Sequence, residues 1–421
     1  MTNTAIAEGK KDNEVVTKSP PKLSSVAIQP ITKSTATYVP APEAFTQKGP
    51  AGISYDFNDG CRVKVPEGNF LVEIRDTTSD YVVYRMPMTD NGVTSVKKFF
   101  VPFGVRVWQD GNLVFEHKMD LRGKKVLMQF PKGGIMGDVI AWFTYVNRFA
   151  EQHECELTCA MSDLMIPLFR DTHPKITFKT PEHIDTSEFY ATYYLGLFFD
   201  DVTNRMQPID FRHAGLHRTA AHILGVDTAE EPPLIDVGNA ARPIPEKYVV
   251  IATKASTQCK YWNYPGGWME IVRFLKEAGY RVICIDKERT HDIGLMRNHI
   301  PHGCEDQTGP RPLVERAHWL KHAEFFVGLS SGLSWLAWAV GTPVVMISGF
   351  TLPNNEFWTP YRIINHHVCT GCWNDPKQMF DHKDFMWCPR HAGTEKQFEC
   401  TTHITPEQVR QVIRTIPNFG A

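Results

Sequence analysis

Three groups of residues have the types and spacing for chemistry. The first is Lys132-Gly133-Gly134-Ile135-Met136-Gly137-Asp138, which follows an apolar run (Val126 to Phe130) and opens an amphipathic one (Val139 to Ala150). A strand, a glycine-rich turn and a helix start suit a nucleotide or a sugar, because Gly133, Gly134 and Gly137 let the backbone approach a ligand closely. Asp138 sets this turn apart from a phosphate cradle. A carboxylate at a helix N-terminus competes with phosphate for the same N–H groups and the same dipole. Asp138 is therefore better placed as a base beside a sugar, although a plain N-cap explains the residue equally well at this stage.

The second group lies later in the chain. Gly328-Leu329-Ser330-Ser331-Gly332-Leu333-Ser334 leaves an apolar strand and enters a helix, offering N–H groups and hydroxyls with no carboxylate among them. That is an anion site which a diphosphate would fit, with Ser330, Ser331 and Gly332 as its contacts. The simpler reading is a serine-capped helix. Thr253 to Lys260 follows another strand, and Lys254, Thr257 and Lys260 could neutralise the same phosphates. Asp286 ends the strand Arg281 to Ile285, where dinucleotide folds place a carboxylate on a ribose hydroxyl, or where it caps the next turn.

The third group is Cys369, Cys372, Cys388 and Cys400, a C-x2-C pair followed by two single cysteines in a Gly/Trp/Asp-rich loop. Four clustered thiolates make a tetrahedral site for zinc or iron, and a closed shell implies structure rather than catalysis. His366, His367, His382 and His391 lie nearby and could replace one ligand, although a histidine there is more often a surface residue. Cys155 and Cys159 are too widely spaced for a metal pair. With Cys61, Cys259, Cys284 and Cys304 they read as buried or incidental thiols.

Those groups need elements to hold them. A chain of 421 residues is too long for one core. Its 45 basic and 47 acidic residues leave no charge excess for nucleic acid or a membrane surface. No apolar run approaches the roughly 20 residues of a spanning helix, and the polar N-terminus lacks the apolar core of a signal peptide, so a cytoplasmic protein is expected. Its ten cysteines are then not expected to pair as disulfides. Residues 1–49 carry no sustained periodicity and read as a disordered tail, with a docking segment near Tyr38. Residues 50–123 hold short β-rich runs (Phe70 to Ile74, Tyr81 to Tyr84, Phe99 to Phe103, Val105 to Trp108, Leu113 to Phe115), with Asp110-Gly111 as a hairpin turn, which predicts a small barrel or sandwich. Residues 124–240 and 241–421 alternate strands with helices and predict two Rossmann-like domains, joined near Gly238 to Pro245 and facing each other across a cleft. The late cysteine loop, residues 369–400, belongs to the second.

Taken in order, the turn ending in Asp138, the loop around Lys260 with Trp262 and Pro265, and the run Gly328 to Gly349 resemble the ADP-heptose glycosyltransferases that build lipopolysaccharide cores. The β-rich segment and the four-cysteine loop lie outside that pattern and resemble the bacterial autotransporter heptosyltransferases, cytoplasmic enzymes that modify adhesin passenger domains. The resemblance implies a glycosyltransferase B fold and inverting transfer of heptose from ADP-heptose to serine hydroxyls. In it Asp138 is the general base and Lys260 holds the departing ADP, while Ser330, Ser331 and Gly332 meet the donor. It also implies one structural iron per chain, where sequence chemistry alone favours zinc, and a large homo-oligomer. The alternatives are a lipopolysaccharide core heptosyltransferase and a non-catalytic metal-stabilised autotransporter scaffold.

Overall fold

The computed structural model describes residues 37–238, 241–294 and 296–420. The expected tail up to residue 36, and positions 239 and 240 of the expected join, lie outside them. Residues 37–48 were also expected to be structureless, and the structure differs. Gln129 both accepts from Val39 N (2.8 Å) and donates to Val39 O (2.9 Å), and Pro42 O accepts from Arg62. Tyr38 packs within the same chain, its hydroxyl donating to Leu195 O at 2.7 Å. A few polar anchors and the half-buried Tyr38 ring order a segment that has no periodicity of its own.

The β-rich segment contains β1 (Gln47–Lys48), β2 (Ser54–Asp56), β3 (Arg62–Val65), β4 (Phe70–Asp76), β5 (Val82–Met88), β6 (Asn91–Thr94), β7 (Phe103–Gln109) and β8 (Asn112–Lys118). They form two antiparallel sheets, ordered β1-β2-β3-β6 and β5-β4-β7-β8. Phe70, Val72 and Ile74 of β4, with Val105 and Val107 of β7, put alternate side chains into the core. Asp110 and Gly111 both have positive φ (49° and 82°), which is the hairpin turn expected of that pair. Phe99 to Phe103 is not the expected strand. Pro102 has no N–H for a ladder, and Phe100 instead packs on Phe149 and Tyr193 while its N–H donates to Ile223 O. The β-layer is not a free module, because one continuous buried cluster runs from Ile53, Phe57 and Val63 to Met128 and Trp142.

The first α/β half runs β9 (Lys125–Gln129), α1 (Met136–His153), β10 (Glu156–Ala160), α2 (Ile166–Phe169), β11 (Thr177–Lys179), β12 (Ala191–Tyr194), α3 (Phe211–Ala214) and α4 (Leu216–Leu224). Its parallel sheet is ordered β11-β10-β9-β12. The second half contains β13 (Tyr248–Ile251), α5 (Gly267–Glu277), β14 (Arg281–Cys284), a hairpin of β15 (Thr290–Ile293) and β16 (Met296–His299), and β17 (Glu305–Asp306). It continues with α6 (Leu313–Lys321), β18 (Phe326–Leu329), α7 (Gly332–Ala339), β19 (Val344–Ile347), β20 (Arg362–Ile363), α8 (Glu399–Thr402) and α9 (Pro406–Ile413). Thr405 caps α9 as expected, in a capping box with Gln408. The parallel sheet is ordered β17-β14-β13-β18-β19-β20, and β13, β18 and β19 are buried along their whole length, as strands covered on both faces must be.

Both sheets reverse their winding direction once, between β9 and β12 in the first and between β13 and β18 in the second. Ligands of such folds bind outside the carboxyl ends of the strands at that reversal. The two halves meet there through two helix starts. A Cβ on Gly332 would lie 2.7 Å from Met136 Cε and 3.1 Å from Gly137 N, and one on Gly137 would lie 3.2 Å from Gly332 Cα. Glycine at both positions is what lets α1 and α7 approach so closely.

Candidate active site

A cleft of about 410 Å³ opens at this junction and collects residues from both halves. Among them are Gly133, Gly134, Gly137 and Asp138 from the first turn, and Thr257, Lys260, Ser330, Ser331 and Gly332 from the second half. α1 begins at Met136 with Ile135 in the capping position, so Asp138 is the third helical residue and does not act as the N-cap. Its carboxyl faces the cleft, retaining partial exposure there. Surrounding protein pushes its pKa up to about 7, and the Lys260 charge opposes that rise. A carboxyl group that ionises near neutrality is matched to taking a proton from a neutral hydroxyl.

The wall next to Asp138 is built by parts far apart in sequence. Trp142, one helical turn beyond Asp138, is fixed by an Nε1 hydrogen bond to Leu216 O at 2.8 Å. Tyr38 lies edge-on to Tyr194 with ring centroids 5.3 Å apart. Gly196 has no side chain because a Cβ there would lie 2.3 Å from the Tyr38 hydroxyl.

Opposite Asp138 lie the loops after β13 and β18. Ser331 precedes α7, yet its side chain does not cap the helix, and its buried hydroxyl has no hydrogen-bond partner in the structure. Ser330 Oγ donates to Glu356, whose carboxylate also accepts from Asn355 Nδ2 (3.0 Å) and Arg362 Nη1 (2.9 Å). Glu356, Asn355, Phe350, Trp373, Tyr38 and His382 also line the cleft; the sequence names only Tyr38, as a docking segment, and His382, beside the cysteines, and places neither here. Lys260 Nζ sits over the rings of Phe350 (5.1 Å) and Trp373 (5.7 Å).

Two expectations fail here. Asp286 does not line the cleft; it is buried, and its oxygens accept from Thr253 N, Thr253 Oγ1 and Lys254 N at 2.8–3.2 Å. The carboxylate turns sideways to the unpaired end of the neighbouring strand rather than forward to a ligand. Lys254, expected to meet phosphates, instead lies 3.6 Å from Asp286 and donates to Arg289 O.

The four late cysteines share one neighbourhood without forming a closed tetrahedron. Burial pushes the Cys400 thiol up, and Cys372, Cys259, Cys388 and Cys369 push it further. Cys372 is raised to about 12 by burial and then by Cys369. Among the described residues, the set with ligand atoms within 4.8 Å of one another is Cys369, His391 and Glu399, not the four cysteines. Arg390 Nη1 donates to Cys369 Sγ at 3.3 Å, and Glu399 accepts from Cys369 N, which turns that residue toward His391. Cys259, read as incidental, belongs to this neighbourhood.

Comparison with known proteins agrees with this layout. Residues 49–111 match the family model "Glycosyltransferase TibC, N-terminal domain", and residues 217–384 match "Glycosyltransferase family 9 (heptosyltransferase)". The autotransporter heptosyltransferase BAHTCr of Citrobacter rodentium is 50% identical over 90% of this chain and 93% of its own. A crystal structure of TibC from Escherichia coli O78:H11, described as a dodecameric iron-containing heptosyltransferase in complex with ADP-D-beta-D-heptose, is 47% identical and superposes with a TM-score of 0.87, covering 91% of this chain and 100% of that one. BimC of Burkholderia thailandensis, named an inactive autotransporter heptosyltransferase, is 43% identical over 91% of this chain and 90% of its own.

Proposed function

The chain belongs to the autotransporter heptosyltransferase family, and from that premise we propose that it moves heptose from ADP-heptose to serine hydroxyls of an autotransporter passenger domain, inverting the anomeric centre with Asp138 as general base. The observation that carries this reading is the position of Asp138 in the cleft, opposite Lys260 and the start of α7.

The chemistry is a single displacement. Asp138 takes the proton of the acceptor hydroxyl as its oxygen bonds to the anomeric carbon. The bond from that carbon to the diphosphate oxygen breaks, and ADP leaves with the electron pair. A positioned carboxylate typically contributes about 10²- to 10⁴-fold to such a step. Negative charge gathering on the diphosphate is met by Lys260 and by the N–H groups at the start of α7, with the unpartnered Ser331 hydroxyl beside them. Thr257 completes the donor contacts. Asp286 has no part in them.

Cys369, Cys372, Cys388 and Cys400 would hold one iron, with zinc as the alternative. Cys369, Cys372 and Cys388 are near enough to Cys400 to raise its pKa through space, and the Arg390 hydrogen bond to Cys369 Sγ is of the kind that supports a metal-bound thiolate. Such an ion cross-links the loop and takes no part in sugar transfer. By the same family reading the protein forms a large homo-oligomer and acts in the cytoplasm on the passenger. Among the described residues no helix is long and apolar enough to cross a membrane.

The relative named as inactive gives a second reading some support, that of a scaffold whose sugar site does no chemistry. Co-expression with a passenger domain in a host that makes ADP-heptose separates the two. Heptose-sized mass additions on the passenger, lost in Asp138→Ala, support transfer. Passenger function that survives Asp138→Ala but not Cys372→Ala supports the scaffold.

A further inference from the structure

Lys260 sits in a short turn, residues 258–260, that is fastened on one side to the late cysteine loop and on the other to the residues that follow it. Before the lysine, Gln258 N donates to Phe385 O at 2.9 Å. After it, Trp262 Nε1 donates to Ile404 O (2.8 Å) and Asn263 Nδ2 to Thr401 Oγ1 (2.9 Å). Cys259 is buried in the cluster that contains Phe350, Phe380, Trp387 and Phe398, against which Cys372 and Cys388 pack. The side chain is held too. Trp373, the residue after Cys372, carries the Lys260 ammonium over its ring and is itself fixed by Nε1 donating to Asn355 Oδ1 at 2.9 Å.

We propose that the segment 369–404 is the positioning element of the donor site, with Trp373 and Thr401 as the positioning residues that set Lys260, so that the state of the cysteine loop governs donor affinity. The inference rests on the reading of Lys260 as the donor's phosphate contact. Those hydrogen bonds alone would fix the turn but leave the four-carbon lysine side chain free to swing. The two aromatic faces remove that freedom, and such a contact is typically worth a few-fold to tenfold in the population of one orientation. A loop that only cross-linked the surface would not need to contribute Trp373, Phe380 and His382 to the cleft lining.

The test uses full-length Trp373→Leu, Trp373→Phe and Thr401→Val, with circular dichroism to confirm the fold. Calorimetry with ADP should show affinity falling about 3- to 30-fold in Trp373→Leu and in Thr401→Val. Trp373→Phe, which keeps a ring under the ammonium, should recover most of it. Thr401→Val preserves volume, so a Trp373→Leu chain that misfolds does not end the test. A second readout needs no donor: acylation of Lys260 by an amine-reactive reagent, followed by peptide mass spectrometry, should run several-fold faster in Trp373→Leu and Thr401→Val. ADP that does not bind the parent chain would end the donor reading of Lys260, while faster acylation in the variants would still support the clamp. Acylation rates equal to the parent's, or ADP affinity within twofold of it, would overturn the proposal.

Discussion

Asp138→Asn should stabilise the protein, and only above a definite pH. The carboxyl group's pKa is raised from 3.8 to about 7 by the protein around it. In the unfolded chain it ionises near the ordinary value, so below about pH 4 both states carry the proton and the site is neutral in its effect. Between the two values the folded state binds a proton that the unfolded state does not, and stability falls as pH rises. The loss is complete above about pH 7. A shift of roughly three units corresponds to a ceiling of about 4 kcal/mol, and because the carboxyl keeps contact with cleft water about 1–3 kcal/mol is the realistic size. Asparagine keeps the shape without the charge. Scanning calorimetry at pH 5, 6, 7 and 8 should therefore show a gain in midpoint for Asp138→Asn that is small at pH 5 and grows to a plateau near pH 8. A gain that does not grow with pH, or a loss at pH 8, would refute the claim that this carboxylate is held at a cost to the fold.

Related outcomes follow for the rest of the cleft. Lys260→Met removes the charge that lowers the Asp138 pKa, so the acid limb of kcat/KM should move to higher pH and ADP binding should weaken about tenfold or more; a limb that stays in place would separate the two residues. Gly332→Ala forces a Cβ to within 3.1 Å of Gly137 N, and the α1–α7 contact should lose about 1–3 kcal/mol in urea unfolding, with activity falling in parallel. Glu356→Gln leaves the nearly buried Arg362 without its charge partner and should cost about 3–5 kcal/mol by the same measurement. Elemental analysis of purified protein should find iron lost in Cys372→Ser and Cys388→Ser but kept in His391→Ala; iron lost only with His391 would move the site to the Cys369, His391 and Glu399 set.

Much of this arrangement can be read from the chain because of where its residues sit. Asp138, Thr257, Lys260 and Ser330 to Gly332 all lie in the connections that leave β9, β13 and β18, and a parallel sheet delivers such connections to one edge wherever its winding reverses. Asp286 follows a strand as well, which is why it misled: strand position predicts nearness to the cleft but not whether a carboxylate turns forward to a ligand or sideways to Thr253 N. Tyr38, Glu356 and Trp373 come from segments without periodicity, and each is held at the cleft by a hydrogen bond to a residue well removed in sequence, Leu195, Ser330 and Asn355 respectively. The run Phe99 to Phe103 shows the converse. Only Phe103 joins a strand, β7, while the half-buried Phe100 packs against α1 and donates its N–H to Ile223 O of α4 rather than pairing along a sheet.

The most direct test of the central claim is the intact mass of a passenger domain co-expressed with this protein, or with its Asp138→Ala variant, in a host that makes ADP-heptose. Heptose-sized additions on serine-containing peptides with the parent chain, and none with the variant, are the result predicted here. Additions that persist in the variant would contradict the assignment of Asp138 as the base, and a passenger unmodified by the parent chain would contradict transfer itself.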